Sequence, residues 1–377
     1  MGKRDLVLLS LLEPQMANRT HLVVMPGDGI GPEIVAATIH VLRQVDQIAA
    51  LGLTFEEAPI GFEALKKHGT TFPDSSFEAA KSADGVILGP VSHNDYPAVA
   101  QGGLNPSGEL RKRLDLYANI RPARSRPGMP ARCGSPVDLV VVRENTEGFY
   151  ADRNMFMGNG EFMPTPDVAL AVRKITRQGS TRIAESAFGL AATRSRRKVT
   201  AVHKANVLRV SDGLFLECVR QVAQRYPQVE YEEQIMDAMA ALLVRDASRF
   251  DVILATNAFG DILSDEASEI SGSLGLAASI NAGSEHALAQ AQHGSAPDIA
   301  GRDVANPASL IGSAAMLLAW LGERRSNQNF DRAARLIERA LDAAIAKPET
   351  RTRDLGGVLG TRAFGEQIAA ILEDVAK

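Results

Sequence analysis

From Thr20 onward, short apolar runs alternate with segments whose apolar residues recur every three or four positions, the pattern of an α/β chain. His21-Leu22-Val23-Val24-Met25 predicts a buried strand, and Gly27-Asp28-Gly29-Ile30-Gly31 turns it. Pro32 and Glu33 suit the first turn of a helix, in which Ile34, Val35, Thr38, Val41, Leu42 and Val45 recur at helical spacing. Further short, β-branched runs predict strands at Gly85–Leu88, Val137–Val142, Val199–Val202 and Asp251–Ala255. Helices are expected near 166–178, 211–225, 237–248, 306–322 and 329–346, with Ala363–Val375 closing the chain. Gly158–Pro166, with two glycines and two prolines among apolar residues, reads as an excursion from the compact body.

At 377 residues the chain is long enough for two domains. A formal net charge of −4 gives no electrostatic reason to expect nucleic acid or an anionic membrane as a partner. No apolar run approaches the roughly 20 residues that span a bilayer. Cys133 and Cys218 lack ligand spacing and are too few for a disulfide framework, which suits a reducing, cytoplasmic setting. Lys3-Arg4 ahead of Leu6–Leu12 imitates a secretory signal, but Glu13 and Pro14 interrupt it. Residues 1–16 are therefore expected to be a leader with the native start at Met16, and residues 1–19 to be disordered.

Five local patterns carry candidate chemistry. The Gly27 cluster falls short of a dinucleotide fingerprint, because Pro32 stands where G-x-G-x-x-G needs a small residue; alone, it is a tight strand-to-helix turn. In Asn257–Asp265, Asp261 and Asp265 are i, i+4 neighbours at the start of a helix. Such a pair is either a solvated acidic helix start or oxygen ligands for a hard ion such as Mg²⁺ or Mn²⁺. Arg111, Arg121 and Arg143 are each a surface or ion-paired residue when taken singly, and a di- or tricarboxylate site if they converge. Lys204, in His203-Lys204-Ala205-Asn206 at a strand end, is either solvated or a general base. His293-Gly294-Ser295-Ala296-Pro297-Asp298-Ile299-Ala300-Gly301, followed by Asn306, is either a plain turn-rich loop or a place for close ligand approach.

These patterns occur in one order, together with Asp115-Leu116-Tyr117-Ala118-Asn119-Ile120-Arg121-Pro122 and Arg143-Glu144-Asn145-Thr146-Glu147-Gly148. That order resembles the β-decarboxylating dehydrogenases, which include isocitrate, homoisocitrate and 3-isopropylmalate dehydrogenases, from about Leu22 to the C-terminus. The resemblance implies an isocitrate/isopropylmalate dehydrogenase-like α/β fold of two domains, 20–116 plus 272–377 and 117–271, with an arm near 151–166. It also implies a homodimer with active sites at the interface and NAD binding of a non-Rossmann kind.

By the same resemblance, a 3-carboxy-2-hydroxy acid is oxidised at C2 and then loses carbon dioxide. The metal, Mg²⁺ or Mn²⁺, would take ligands from Asp261 and Asp265 of one subunit and Asp237 of the other. Arg111, Arg121 and Arg143 would grip the substrate's carboxylates, with Asn206 near substrate and nicotinamide. Lys204 would act as base and Tyr150 would protonate the enolate. His293, Gly294, Ser295, Ala296, Pro297, Asp298 and Asn306 would hold the cofactor, and Asp298 favours NAD because a carboxylate repels a 2′-phosphate.

Two departures from the family pattern matter, and the second bears on specificity. Gln290 stands where the family usually has glutamate, three residues before His293, which removes a charge near the expected cofactor loop. Ser107 and Gly108 stand where isopropylmalate enzymes carry leucines, leaving little apolar surface for an isopropyl group. Leu104-Asn105 resembles isocitrate enzymes two residues early, and the basic residue of a homoisocitrate enzyme is absent. The segment thus favours a polar 3-substituted malate, with 3-isopropylmalate, malate and tartrate as alternatives. The candidate catalytic and metal residues are all present, which argues against a non-catalytic regulatory subunit.

Overall fold

The structure is a computed structural model of the chain and describes residues 19–150, 155 and 160–376. The expected leader lies outside the described residues apart from Arg19.

One ten-stranded sheet carries the fold. In spatial order its strands are β2 (Leu53–Glu57), β1 (Thr20–Met25), β3 (Gly85–Leu88), β12 (Ala287–Gln290), β11 (Ile280–Ala282), β4 (Ala118–Arg124), β5 (Asp138–Glu144), β10 (Val252–Ala255), β8 (Lys198–His203) and β9 (Glu230–Ile235). The outer strands pair in parallel on both sides, whereas β11 and β4 pair antiparallel with both of their neighbours. Strand direction therefore reverses at the centre of the sheet, and the candidate site lies there. Strands from 20–116 and 272–377 occupy one side of the β11/β4 junction, and strands from 117–271 the other.

Helices cover both faces. They are α1 (Gly31–Ala49), α2 (Gly61–His68), α3 (Asp74–Ser82), α4 (Pro106–Arg113), α5 (Arg177–Thr193), α6 (Ser211–Ala223), α7 (Met236–Asp246), α8 (Asn257–Ser271), α9 (Ala308–Arg325), α10 (Gln328–Ile345) and α11 (Thr361–Ala376). The strands are apolar on both sides because each face has its own core. Leu22 and Val24 of β1 pack among α1, α9, α10 and α11, while Val23 and Met25 face Phe72, Phe77 and Leu110. In β5, Val140 and Val142 join Phe188 and Phe215, and Leu139 and Val141 join Phe250 and Leu263. Helix α10 buries Phe330, Ala333, Ile337, Leu341 and Ala344, one continuous stripe at helical spacing.

The helix expected at 166–178 is not formed. Val168–Ala171 is a strand, β7, paired antiparallel with β6 (Glu161–Thr165) in a separate two-stranded ribbon. Val168, Leu170 and Val172 alternate with period two, and the next helix starts only where Thr176 caps Gly179 N. The excursion therefore continues past Pro166; residues 151–154 and 156–159 of the expected arm lie outside the described residues. Among the described residues no helix is long and apolar enough to cross a membrane.

Candidate active site

The site is built on the reversal of strand direction. Asn119 of β4 lies opposite Arg143 of β5, and Arg121, two residues along, shares their face. Helix α8 starts directly after β10, beside β5, and brings Asn257, Asp261 and Asp265 over that face. Arg143 Nε and Nη2 donate to Asn257 Oδ1 at 2.9 and 2.7 Å, and its Nη1 pairs with Asp261 Oδ1. Arg121 Nη1 lies 3.2 Å from Asp261 Oδ1, 3.5 Å from Asp265 Oδ1 and 2.8 Å from Ser264 Oγ. Its Nε donates to Asn119 Oδ1.

Gly260 permits this approach, since a Cβ there would stand 2.7 Å from Arg143 Cβ. Arg111 comes from α4 on the other side, its Nη2 donating to Gln290 Oε1 at 3.2 Å. Together Arg111, Arg121, Arg143, Tyr150 and Asp261 line one cleft of about 320 Å³, with Ser107, Gln290 and His293. The three arginines converge.

The charges in this cleft are coupled. Burial pushes the Asp261 carboxyl up, but Arg143, Arg121 and Arg111 outweigh it and hold the group below the usual carboxylate range. Burial lowers the Arg121 guanidinium, while Asp261 and Asp265 support its charge. Tyr150 donates its hydroxyl to Asp261 Oδ2 at 3.4 Å. The Oδ1 atoms of Asp261 and Asp265 both turn toward Arg121 Nη1, and such a pair of carboxylate oxygens is a donor set that a hard cation also fits.

Lys204 and Asp237 do not join this group within one chain. Lys204, just after β8, pairs through Nζ with Asp237 at the start of α7, which follows β9. That hydrogen bond holds Asp237 below its ordinary range. Among the described residues no three His, Cys, Asp or Glu side chains are gathered for a metal ion. Asn206 is exposed.

The expected cofactor loop borders a second cleft, of about 390 Å³, lined by His293, Gly294, Ala296, Asn306 and Asp354 among others. His293 borders both clefts, and burial lowers its pKa against the opposing pull of the Gly294 carbonyl and Asp354. Asn306 Nδ2 donates to Asp354 Oδ2 at 3.0 Å. Ser295 is buried and anchors the loop: its carbonyl accepts from Ile30 N at 2.8 Å, and its Oγ lies 2.8 Å from Ser92 Oγ. Pro297 and Asp298 are exposed, in the short turn after Ala296. The Gly27–Gly31 turn thus packs against this loop: a Cβ on Gly29 would strike the Ser295 carbonyl. Asp28 is used internally, accepting from Phe62 N at 2.8 Å and Ser92 N at 3.0 Å.

Four site residues escaped sequence reasoning. Asn257 and Asn119 both stand inside motifs already noted, and the period of two from Arg121 marks Asn119 as its face-mate. Gln292, whose Nε2 donates to Asp265 Oδ1 at 2.7 Å, and Asp354 carry no comparable signal. Glu144, buried in the Arg143 motif, only organises its turn, accepting from Thr146 N and Glu147 N at 2.8 and 2.7 Å.

Known proteins are similar to this one over nearly the whole chain. The profile of the isocitrate/isopropylmalate dehydrogenase family matches residues 21–368. A 3-isopropylmalate dehydrogenase of Methanothermobacter thermautotrophicus is 41% identical over 354 residues, covering 94% of this chain and 98% of that protein. An isocitrate/homoisocitrate dehydrogenase of Thermus thermophilus is also 41% identical over 354 residues, covering 94% and 99%. The crystal structure of isocitrate dehydrogenase from Methylococcus capsulatus superposes with a TM-score of 0.83 at 39% identity, covering 94% of this chain and 99% of that one. With its reversed-centre sheet, convergent arginines and chain-long match, the protein belongs to the isocitrate/isopropylmalate dehydrogenase family and is a dehydrogenase.

Proposed function

We propose that the protein is an NAD-dependent, metal-dependent enzyme that oxidises and decarboxylates a 3-substituted malate, as a cytoplasmic homodimer. The observation that carries this reading is the cleft in which Arg111, Arg121 and Arg143 surround the ionised Asp261. Three guanidiniums suit a di- or tricarboxylate, and the carboxylate among them suits a cation chelated by that same substrate.

In this reading the arginines hold the substrate's carboxylates and Asp261, Asp265 and the partner's Asp237 hold the metal. When bound, the metal supplies Lewis acidity and the nicotinamide a two-electron acceptor. Lys204 takes the proton of the C2 hydroxyl as the C2 hydrogen leaves with its electron pair. The new carbonyl receives the electrons of the C3–carboxylate bond as carbon dioxide departs. Tyr150 then gives its phenolic proton to C3, and Asn206 lines the substrate side. His293, Gly294, Ser295, Ala296, Pro297 and Asn306 form the cofactor wall, and Asp298 receives the adenosine ribose.

Two features support a dimer. The Lys204–Asp237 pair stands apart from Asp261 in one chain. The β6–β7 ribbon leaves Phe162, Met163 and Leu170 at 51%, 63% and 47% exposure, an apolar surface of the kind that a second copy covers. The same reading divides the chain into 20–116 plus 272–377 and 117–271, with the boundary between β11 and β4.

Initial rates with a panel of 3-substituted malates and Mn²⁺ test the proposal. The expected result is carbon dioxide release matching NADH formation, and a kcat/KM at least tenfold higher with NAD than with NADP. A preference for NADP would contradict the role given to Asp298, and absence of turnover with every malate would contradict the function itself.

A further inference from the structure

Lys204 stands just past the end of β8, and its main chain is held by a side chain eight residues further on. Lys204 N donates to Asp212 Oδ2 at 2.6 Å. Leu208 N donates back to Lys204 O at 2.8 Å and Asp212 N to Leu208 O at 3.0 Å, so the segment from 204 to 212 closes on itself. Asp212 lies in the first turn of α6, where the helix dipole suits a carboxylate, and it is fully buried. It takes no part in the proposed proton or hydride steps, and a carboxylate so deeply buried is rare unless it is paired.

Its partner is Arg173, whose side chain is only 8% exposed. Arg173 Nη1 pairs with Asp212 Oδ1 and donates to Ser211 Oγ at 3.0 Å, while Nη2 donates to Thr256 Oγ1 at 3.1 Å. The same guanidinium lies 5.8 Å from the ring centre of Phe149 and 5.3 Å from that of Phe259. Arg173 is thus fixed from several sides and gives Asp212 a rigid backing.

One carboxylate therefore clamps two groups, the guanidinium on Oδ1 and the Lys204 amide on Oδ2. An amide of the same shape could not do this. It has a single acceptor oxygen, and its NH₂ would face either the guanidinium or the backbone N–H, both of which are donors. Asp212 does not line the cleft that holds the three arginines, so it is placed to act on Lys204 and not on the grip of the substrate.

We infer that Asp212 is a positioning residue for Lys204, fixing the main chain from which the base reaches the hydroxyl proton, with Arg173 as its counter-ion. The inference rests on the function proposed above, in which Lys204 is that base.

The test is a double-mutant cycle on the maximal single-turnover rate of NADH formation. It uses NAD, Mn²⁺ and whichever of 3-carboxymethylmalate and 3-isopropylmalate reacts faster, with enzyme in excess so that the slow Lys204→Ala variant stays measurable. Asp212→Asn is expected to lower the maximal rate about tenfold or more, the scale of a small misplacement at the reacting atoms. The half-saturating concentration should change less than about twofold. Added to Lys204→Ala, the same substitution is expected to change the rate less than about twofold, because the group it positions is gone. Asp212→Glu keeps the charge and both acceptor oxygens, so a smaller loss of about threefold is expected, again only where Lys204 is present. It carries the cycle if the asparagine variant melts early. A loss by the same factor with and without Lys204, or a native rate in Asp212→Asn, would overturn the inference and leave the proposed reaction standing. Near-native turnover by Lys204→Ala would remove the base and the inference with it. A protein that turns over neither acid would overturn the proposed function itself.

Discussion

At the scale of single residues, the site depends on which groups are allowed to be charged. His293 borders both clefts, its buried Nε2 has no hydrogen-bond partner among the described residues, and burial keeps its pKa low. The folded ring therefore binds a proton less readily than an unfolded one, whose pKa is about 6.5. Above that value both states are neutral and the residue is silent. As pH falls through it the unfolded chain protonates first, so stability drops until the folded ring also protonates. This single group adds a slope of at most about 1.4 kcal/mol per pH unit. Urea unfolding of the native protein and of His293→Gln across about pH 5 to 8 checks it, since that is the range in which an unperturbed histidine titrates. The variant is expected to lose stability less steeply below neutrality, and parallel curves would contradict the burial argument.

At the scale of elements, placement comes from packing tolerances that single motifs do not reveal. Helix α8 can lie on β5 only because residue 260 has no side chain. Alanine normally improves a helix interior over glycine by about 1 kcal/mol. Here the added methyl would meet Arg143 Cβ and Cγ at 2.7 and 2.8 Å, and overpacking of that kind costs about 1–3 kcal/mol. Gly260→Ala is thus expected to lower the melting temperature and to raise KM for the substrate by displacing Arg143. A gain in stability with unchanged KM would show that the helix has room to retreat.

Most elements of the central fold could be read from the chain. The apolar runs that became β1, β3, β5, β8 and β10 are β-branched and followed by turns, and a charge at Arg143 in such a run announced a site. What could not be read was long-range. Strands β11 and β12 are three and four residues long, and insert between β3 and β4 from the far end of the chain. Residues 166–178 misled because an alanine-containing apolar segment suggested a helix, whereas its period of two was the informative feature. The anchoring roles of Asn119 and Asn257 were likewise hidden inside their motifs, since a hydrogen-bond acceptor shows its purpose only beside its donor.

At the scale of the molecule, the chain divides its chemistry into two groups. Arg111, Arg121, Arg143, Tyr150 and Asp261 meet in one cleft, while Lys204 and Asp237 pair elsewhere. The proposed dimer unites them across an interface to which the apolar β6–β7 ribbon contributes. Asp237→Asn and Asp261→Asn should then each abolish turnover of the preferred malate in pure form. Random reassociation of the two variants would make half of the dimers mixed, each with one site that retains every aspartate. Mixing them after mild dissociation is therefore the most direct measurement: the account predicts recovery of roughly a quarter of the native rate. No recovery above the separate variants, although mixed dimers are shown to form, would contradict a site shared between two subunits.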